Sequence, residues 1–234
     1  MNLLKNKFVI IGLIFVALVV ILYFSGWQKK DDQSPNNDKV TLESVLDFKI
    51  VRTDLTSELQ DRYKNEIELA KKVILDSPDK FNFNALMSIG MIKYTVSDYD
   101  GARDAWLYVS QVRPQNSPAY YNLGNLYADI YKDCANAEKY FKMAIENDPN
   151  EISYLRNVFD LYNTKCPDKS KAEEILKKAL TIKADNVDFM VLSAEFYRDQ
   201  GNKAEATKFY EAAIKLAPQN QALKDEYNRF KSGL

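Results

Sequence analysis

The side chains that usually carry chemistry are sparse in this chain of 234 residues, and their spacing is uninformative for catalysis. Histidine is absent, which removes the commonest general acid–base and metal ligand near neutral pH. Cys134 and Cys166 are the only thiols, and two thiols without a histidine do not make up a metal site. Three fates stay open for them: a bridge in an oxidising compartment, free thiols in a reducing one, or two incidental small residues. Gly12, Gly26, Gly90, Gly101, Gly124, Gly201 and Gly233 are too scattered for a phosphate-cradling loop. Glu173 and Glu174 sit side by side on the polar face of an amphipathic helical pattern, so they read as solvated surface rather than an acid–base pair. No enzyme, cofactor or metal is expected.

Net charge points the same way. The 32 basic and 33 acidic residues nearly cancel, and phosphate binding needs a concentrated positive face, so nucleic acid is not an expected partner.

What the chain does possess is a repeat. Tyr120 to Pro149 reads Tyr120-x2-Leu123-Gly124-x2-Tyr127, then Ala137-x3-Phe141-x2-Ala144-x4-Pro149. Small Gly124 and Ala137 let two short helices approach, Tyr127 and Phe141 fill the surrounding space, and Pro149 stops the second helix. The pattern recurs. Gly90, Gly124, Phe159 and Ala194 lie 34, 35 and 35 residues apart; Ala102, Ala137, Ala172 and Ala206 lie 35, 35 and 34 apart. Pro114, Pro149, Ala184 and Pro218 keep the same steps. Over Phe83 to Asn220 the chain resembles the tetratricopeptide-repeat family, whose unit is aromatic-x2-Leu-Gly-x2-Tyr, Ala-x3-Phe and Pro on a 34-residue period. The first copy departs in placing Tyr94 one residue late and Trp106 at the large second-helix position. In the third, Phe159 replaces a small residue and Ala184 replaces proline, which predicts less regular packing there. The fourth, with Ala194, Tyr197, Gly201, Ala206, Tyr210, Ala213 and Pro218, is close to the family form.

The resemblance implies an all-α fold, a right-handed superhelix of antiparallel helix pairs. Repeats are expected at about 83–116, 117–151, 152–186 and 187–220. A lone helix over 55–76, carrying Ala70-x2-Val73-x4-Pro78, repeats the spacing of a second helix and acts as a half-repeat. A capping helix over 221–231 shows Leu223, Tyr227 and Phe230 on one side and polar residues on the other. Ser117-Pro118 is expected to start one helix as N-cap and first-turn proline, and Gly201-Asn202 to end one helix and cap the next. Together these elements make a repeat domain over 54–234.

In that family the first helices line a concave groove that binds peptides or partner helices. Carried over by spacing, its lining here is Met87, Met91 and Tyr94; Tyr121, Asn125 and Asp129; Arg156, Asp160 and Asn163; Val191, Glu195 and Arg198. Each set follows one helical stripe. The alternative is that Met87 and Met91 pack on the 55–76 helix and the charged residues are ordinary surface. Some relatives clamp the terminal carboxylate of chaperones with two Asn and three cations. Asn125 and Asn157 match that pattern, but the cation positions hold Tyr121, Asp188 and Leu192, so a chaperone-tail adaptor is not expected. The resemblance also places Cys134 and Cys166 in loops on one edge, within reach of each other. Each of their repeats has one extra residue, most simply placed in the loop.

Phe8 to Trp27 contains no charge, and 20 helical residues span about 30 Å, the thickness of a bilayer core. Residues 1–27 are therefore expected to be a short tail and a single transmembrane helix that contacts the lipid bilayer through 8–27. No small-x-small cleavage site follows. Lys5 and Lys7 before it balance Lys29 and Lys30 after it, so the charge rule does not set the orientation; a short basic tail favours an extracytoplasmic domain. Residues 28–53 read as a polar tether and juxtamembrane segment, in which Val45 to Val51 fits a short strand or an adherent loop. No Asn-x-Ser/Thr site occurs, which favours a bacterial envelope. The expected function is a membrane-anchored scaffold binding a peptide or helix of another protein, with a self-associating spacer, and so a homo-oligomer, or a cytoplasm-facing adaptor as the alternatives.

Overall fold

A computed structural model describes residues 40–76 and 82–233. The anchor expected at 8–27 and the tether at 28–39 lie outside them. Among the described residues all regular structure is helical, and no helix is long and apolar enough to cross a membrane.

The helices in order are α1 (Leu42–Leu46), α2 (Ser57–Leu75), α3 (Phe83–Thr95), α4 (Tyr99–Val112), α5 (Ser117–Leu126), α6 (Cys134–Asn147), α7 (Ile152–Asp160), α8 (Lys169–Ile182), α9 (Val187–Asp199), α10 (Lys203–Leu216) and α11 (Gln221–Ser232). Helices α3/α4, α5/α6, α7/α8 and α9/α10 pack as pairs, and each pair packs on the next. Short polar side chains start most of them: Asn116, Asn186 and Asn220 accept hydrogen bonds from the amides of Ala119, Phe189 and Leu223 at 2.8, 2.9 and 3.1 Å. This satisfies amides that have no partner within the helix. Asn116 thus displaces Ser117 as the cap of α5, because its amide reaches the third residue; Ser117 sits in the first turn, buried, and its Oγ accepts from the Tyr154 hydroxyl at 3.3 Å. Gly201, at φ 73°, closes α9, and Asn202 caps α10.

Close approach within pairs depends on size exchange. A Cβ built on Gly124 would stand 2.6 Å from the Phe141 ring, and one on Gly90 would collide with the Trp106 indole. That indole pays for its position, since Trp106 Nε1 is the one buried side-chain polar atom among the described residues without a hydrogen-bond partner. In the third pair the exchange is reversed. Phe159 and Leu176 are both 2% exposed, and the Phe159 ring meets Phe196 of the next repeat edge-on at 5.9 Å. One buried cluster runs from Val45 to Phe196, and a second closes around Ala194, Tyr210, Leu223 and Tyr227.

Two expectations are revised. The extra residue of repeats two and three is not in a loop. It widens the end of each first helix into a π-helical turn, Tyr127–Tyr131 and Leu161–Lys165, where an inserted residue keeps its backbone hydrogen bonds by pairing i to i+5. Of the two alternatives for the segment from Val40 to Arg52 the structure shows the adherent one, with a short helix at its start in place of a strand. The segment belongs to the compact unit that begins at Val40 rather than 54: α1 packs on α4, and Val45 is fully buried. The amides of Val51 and Arg52 both donate to the Val96 carbonyl, at 3.1 and 2.9 Å.

This strap helps bury Lys93, 1% exposed on α3. Burial lowers its pKa from the ordinary 10.5, against the opposing pull of Asp98, Asp47 and Asp104. A lysine whose folded pKa is depressed opposes folding while it is charged, and that penalty fades only as pH climbs from its folded pKa towards 10.5. Lys93→Met is therefore expected to be at least as stable as the native chain at pH 7, with the difference shrinking at alkaline pH. Urea denaturation between neutral pH and about 10.5 checks this; a clear loss of stability at pH 7 would mean that the three aspartates outweigh burial.

Candidate partner-binding surface

The first helices α3, α5, α7 and α9 leave one stripe each unburied by the second helices. Met87 is half-buried on α3, while Met91 is 49% exposed. Tyr94 is half-buried, its ring edge-on to Tyr99 at 5.4 Å and tilted on Trp106 at 6.1 Å.

Between α5 and α7 the stripes are tied together. Asn157 Nδ2 donates to the Tyr121 hydroxyl and to Asn125 Oδ1, both at 2.7 Å. The Tyr121 ring stacks on Tyr154 at 4.6 Å. These bonds consume both donors of Asn157 and leave its carbonyl oxygen and the Asn125 amide as groups of opposite sense on the same face. Further along, Arg156 faces Asp160 at 3.7 Å, and the π-helical turns bring Asp129 into an ion pair with Lys165. Asn163 accepts from Lys169 at 2.8 Å. On α9, Val191 packs against the second core cluster.

The profile of the tetratricopeptide-repeat family matches residues 88–152, and a second profile of the same description matches 170–225. The chain is built of tetratricopeptide repeats. Solved structures of such proteins agree with its fold. MamA superposes with a TM-score of 0.57 at 18% identity, over 69% of this chain and 92% of MamA. YrrB, described as a tetratricopeptide-repeat protein with an unusual peptide-binding site, gives 0.53 at 17% identity, over 74% and 86%. TTC0263, a protein of Thermus thermophilus, gives 0.50 at 20% identity, over 74% and 92%. No curated protein sequence matches the chain.

At its C-terminal end the tetratricopeptide array is charged with both signs. The Arg198 guanidinium donates to Asp199 at 2.9 Å and, through Nη1, to the Tyr210 hydroxyl and Glu226 at 3.0 Å each. Burial raises the pKa of Glu195, and the neighbouring Glu226 adds to the effect; a cation arriving there would favour its ionised form. Arg198, Glu226, Arg229 and Phe230 line a shallow cavity of about 290 Å³. Glu226, Arg229 and Phe230 belong to α11, and Lys165 comes from the repeat after that of its partner Asp129. The stripe rule carries over one helix at a time and names none of these four, whereas Asn157 is marked by its match to the two-asparagine pattern.

Cys134 and Cys166 are joined by a disulfide with Cα atoms 5.9 Å apart. Only Cys166 lies in a connecting turn, after the π-helical turn Leu161–Lys165, whereas Cys134 is the first residue of α6. The bond therefore ties the start of α6 to the turn before α8, near the Lys171 bridge to Glu138 at 2.6 Å. Among the described residues no group of acids and cysteines could hold a metal ion.

Proposed function

We propose that this protein is a membrane-anchored, non-catalytic scaffold whose first-helix surface binds a peptide or helical segment of another protein. The observation that carries the reading is the Tyr121–Asn157–Asn125 network. It fixes the stripes of adjacent repeats into one preformed face, so a partner segment orders few receptor side chains on binding. Met91 supplies an adaptable apolar contact near one end, and Arg156, Glu195 and Arg198 supply charge near the other. A segment with an apolar end and a polar end fits that gradient.

The anchor at 8–27 would hold this encounter at a bilayer and raise the local concentration of both partners. The disulfide supports an extracytoplasmic domain, since such bonds persist in oxidising compartments. The bacterial cell envelope is the proposed setting.

One experiment in intact cells tests both halves. A photoreactive residue replaces Met91 on the first-helix face or Lys142, an exposed residue on a second helix. Adducts with another protein are expected from Met91 alone; adducts from neither position, or equally from both, would remove the binding-face reading. In the same cells a membrane-impermeant maleimide should label Cys134 and Cys166 only after reduction. Labelling that requires lysis but no reductant would put the domain in the cytoplasm.

A further inference from the structure

The array ends in two faces that the repeat register identifies as halves of one unit. Helix α2 is in second-helix register, so Val73 corresponds to Val109, Ala144, Ala179 and Ala213, each fully buried. Val73 is 46% exposed, and Leu69, one turn earlier, is 65% exposed. No first helix covers them among the described residues. At the other end, α11 is in first-helix register. Its cap Asn220 lies one repeat step beyond Asn186 and makes the same side-chain bond to the third amide. Leu223 and Tyr227 are buried in the second core cluster, whereas Asn228, at the position of Gly90, Gly124 and Ala194, is exposed.

We propose that α2 of one copy receives α11 of a second copy, completing a repeat shared between two chains and joining copies head to tail. Two features favour this occupant once α11 and α2 are set in the register of a complete repeat, where Gly124 stands against Phe141 and Asn228 therefore against Ala70. Charges are complementary: antiparallel pairing in that register brings Glu66 of α2 to Lys231 of α11, and Lys224 to Val73, which its aliphatic stem can cover. The groups are also accessible. Glu66 is 40% exposed beside Arg62 at 2.8 Å, and Lys231 lies over the Tyr227 ring at 4.4 Å from the centroid. Two copies of α2 meeting about a two-fold axis are less favoured, because pairing Leu69 with Val73 would set Glu66 against Asp76. The contact is heterologous, so it propagates instead of closing as a dimer. It uses the ends of the array and leaves the first-helix face free, so it stands or falls apart from the partner-binding reading.

The full chain, mixed from unlabelled and 15N-labelled preparations, is treated with a zero-length carbodiimide, which joins carboxylates to amines in contact. Mass spectrometry is expected to find Glu66 joined to Lys231 between labelled and unlabelled copies, with a ladder of dimers, trimers and larger species. Glu66→Lys should abolish the ladder, and Glu66→Lys with Lys231→Glu should restore it. Circular dichroism confirms that both variants fold. Links only between α2 helices, a product that stops at dimer, or no intermolecular link at millimolar protein would overturn the proposal.

Discussion

Replacing Cys134 and Cys166 with serine is expected to lower the stability of the array by about 3–4 kcal/mol. The bridge spans 32 residues, and removing the closure of a loop that long restores entropy of this size to the unfolded chain. The neighbouring ion pairs cannot compensate. Lys171 and Glu138 are 42% and 43% exposed, and Lys165 and Asp129 are 33% and 38% exposed, so solvent screens both. The position of the bond predicts where the loss falls. In a repeat array each unit contacts only its neighbours, and the disulfide links the second and third units alone. Amide exchange should therefore speed up in α5 to α8 while α9 and α10 keep their protection. Urea denaturation of the oxidised, reduced and double-serine chains checks the magnitude. The reduced and double-serine chains should coincide; equal stability of all three would show that the packed turns hold the interface without the bond.

The parts of the fold written in the sequence are those that recur. Gly124, Ala137, Phe141 and Pro149 each announce a packing role because their counterparts repeat at 34 or 35 residues. Helix pairing, the half-repeat at α2 and the cap at α11 follow from that register. Features produced once were invisible. Nothing in Val40 to Arg52 shows that Val45 fits a slot on α4, or that two consecutive amides share the Val96 carbonyl, because that contact joins residues far apart in the chain. The extra residue in repeats two and three was countable, but the choice between loop and π-helical turn depends on backbone pairing that no side chain signals. The ring contacts of Tyr94 with Tyr99 and Trp106 were likewise invisible, because they join its half-buried ring to residues of the following turn and helix.

The second large effect lies at the Gly124–Phe141 contact. Phe141→Ala should cost about 3–5 kcal/mol, as expected for deleting an aromatic ring that is 1% exposed. Gly124→Ala should also destabilise, although alanine is the better helix former by about 1 kcal/mol. The new methyl would lie 2.6 Å from Cδ1 and 2.8 Å from Cγ of Phe141. Those atoms are near the base of the side chain, and the Tyr121 ring stands 6.0 Å from it, centre to centre, so rotation cannot clear the space. A backbone shift between α5 and α6 is the remaining response, costing about 1–3 kcal/mol. The chain itself contains the compensated version: Phe159, at the Gly124 position, stands in register with Leu176 rather than an aromatic residue. Gly124→Ala combined with Phe141→Leu should accordingly lose less than the sum of its parts, with a coupling of about 1–2 kcal/mol in a double-mutant cycle measured by urea denaturation. Strict additivity would mean that the two positions do not share one packing volume, and the small-against-large rule drawn from these repeats would fail at the pair that shows it most closely.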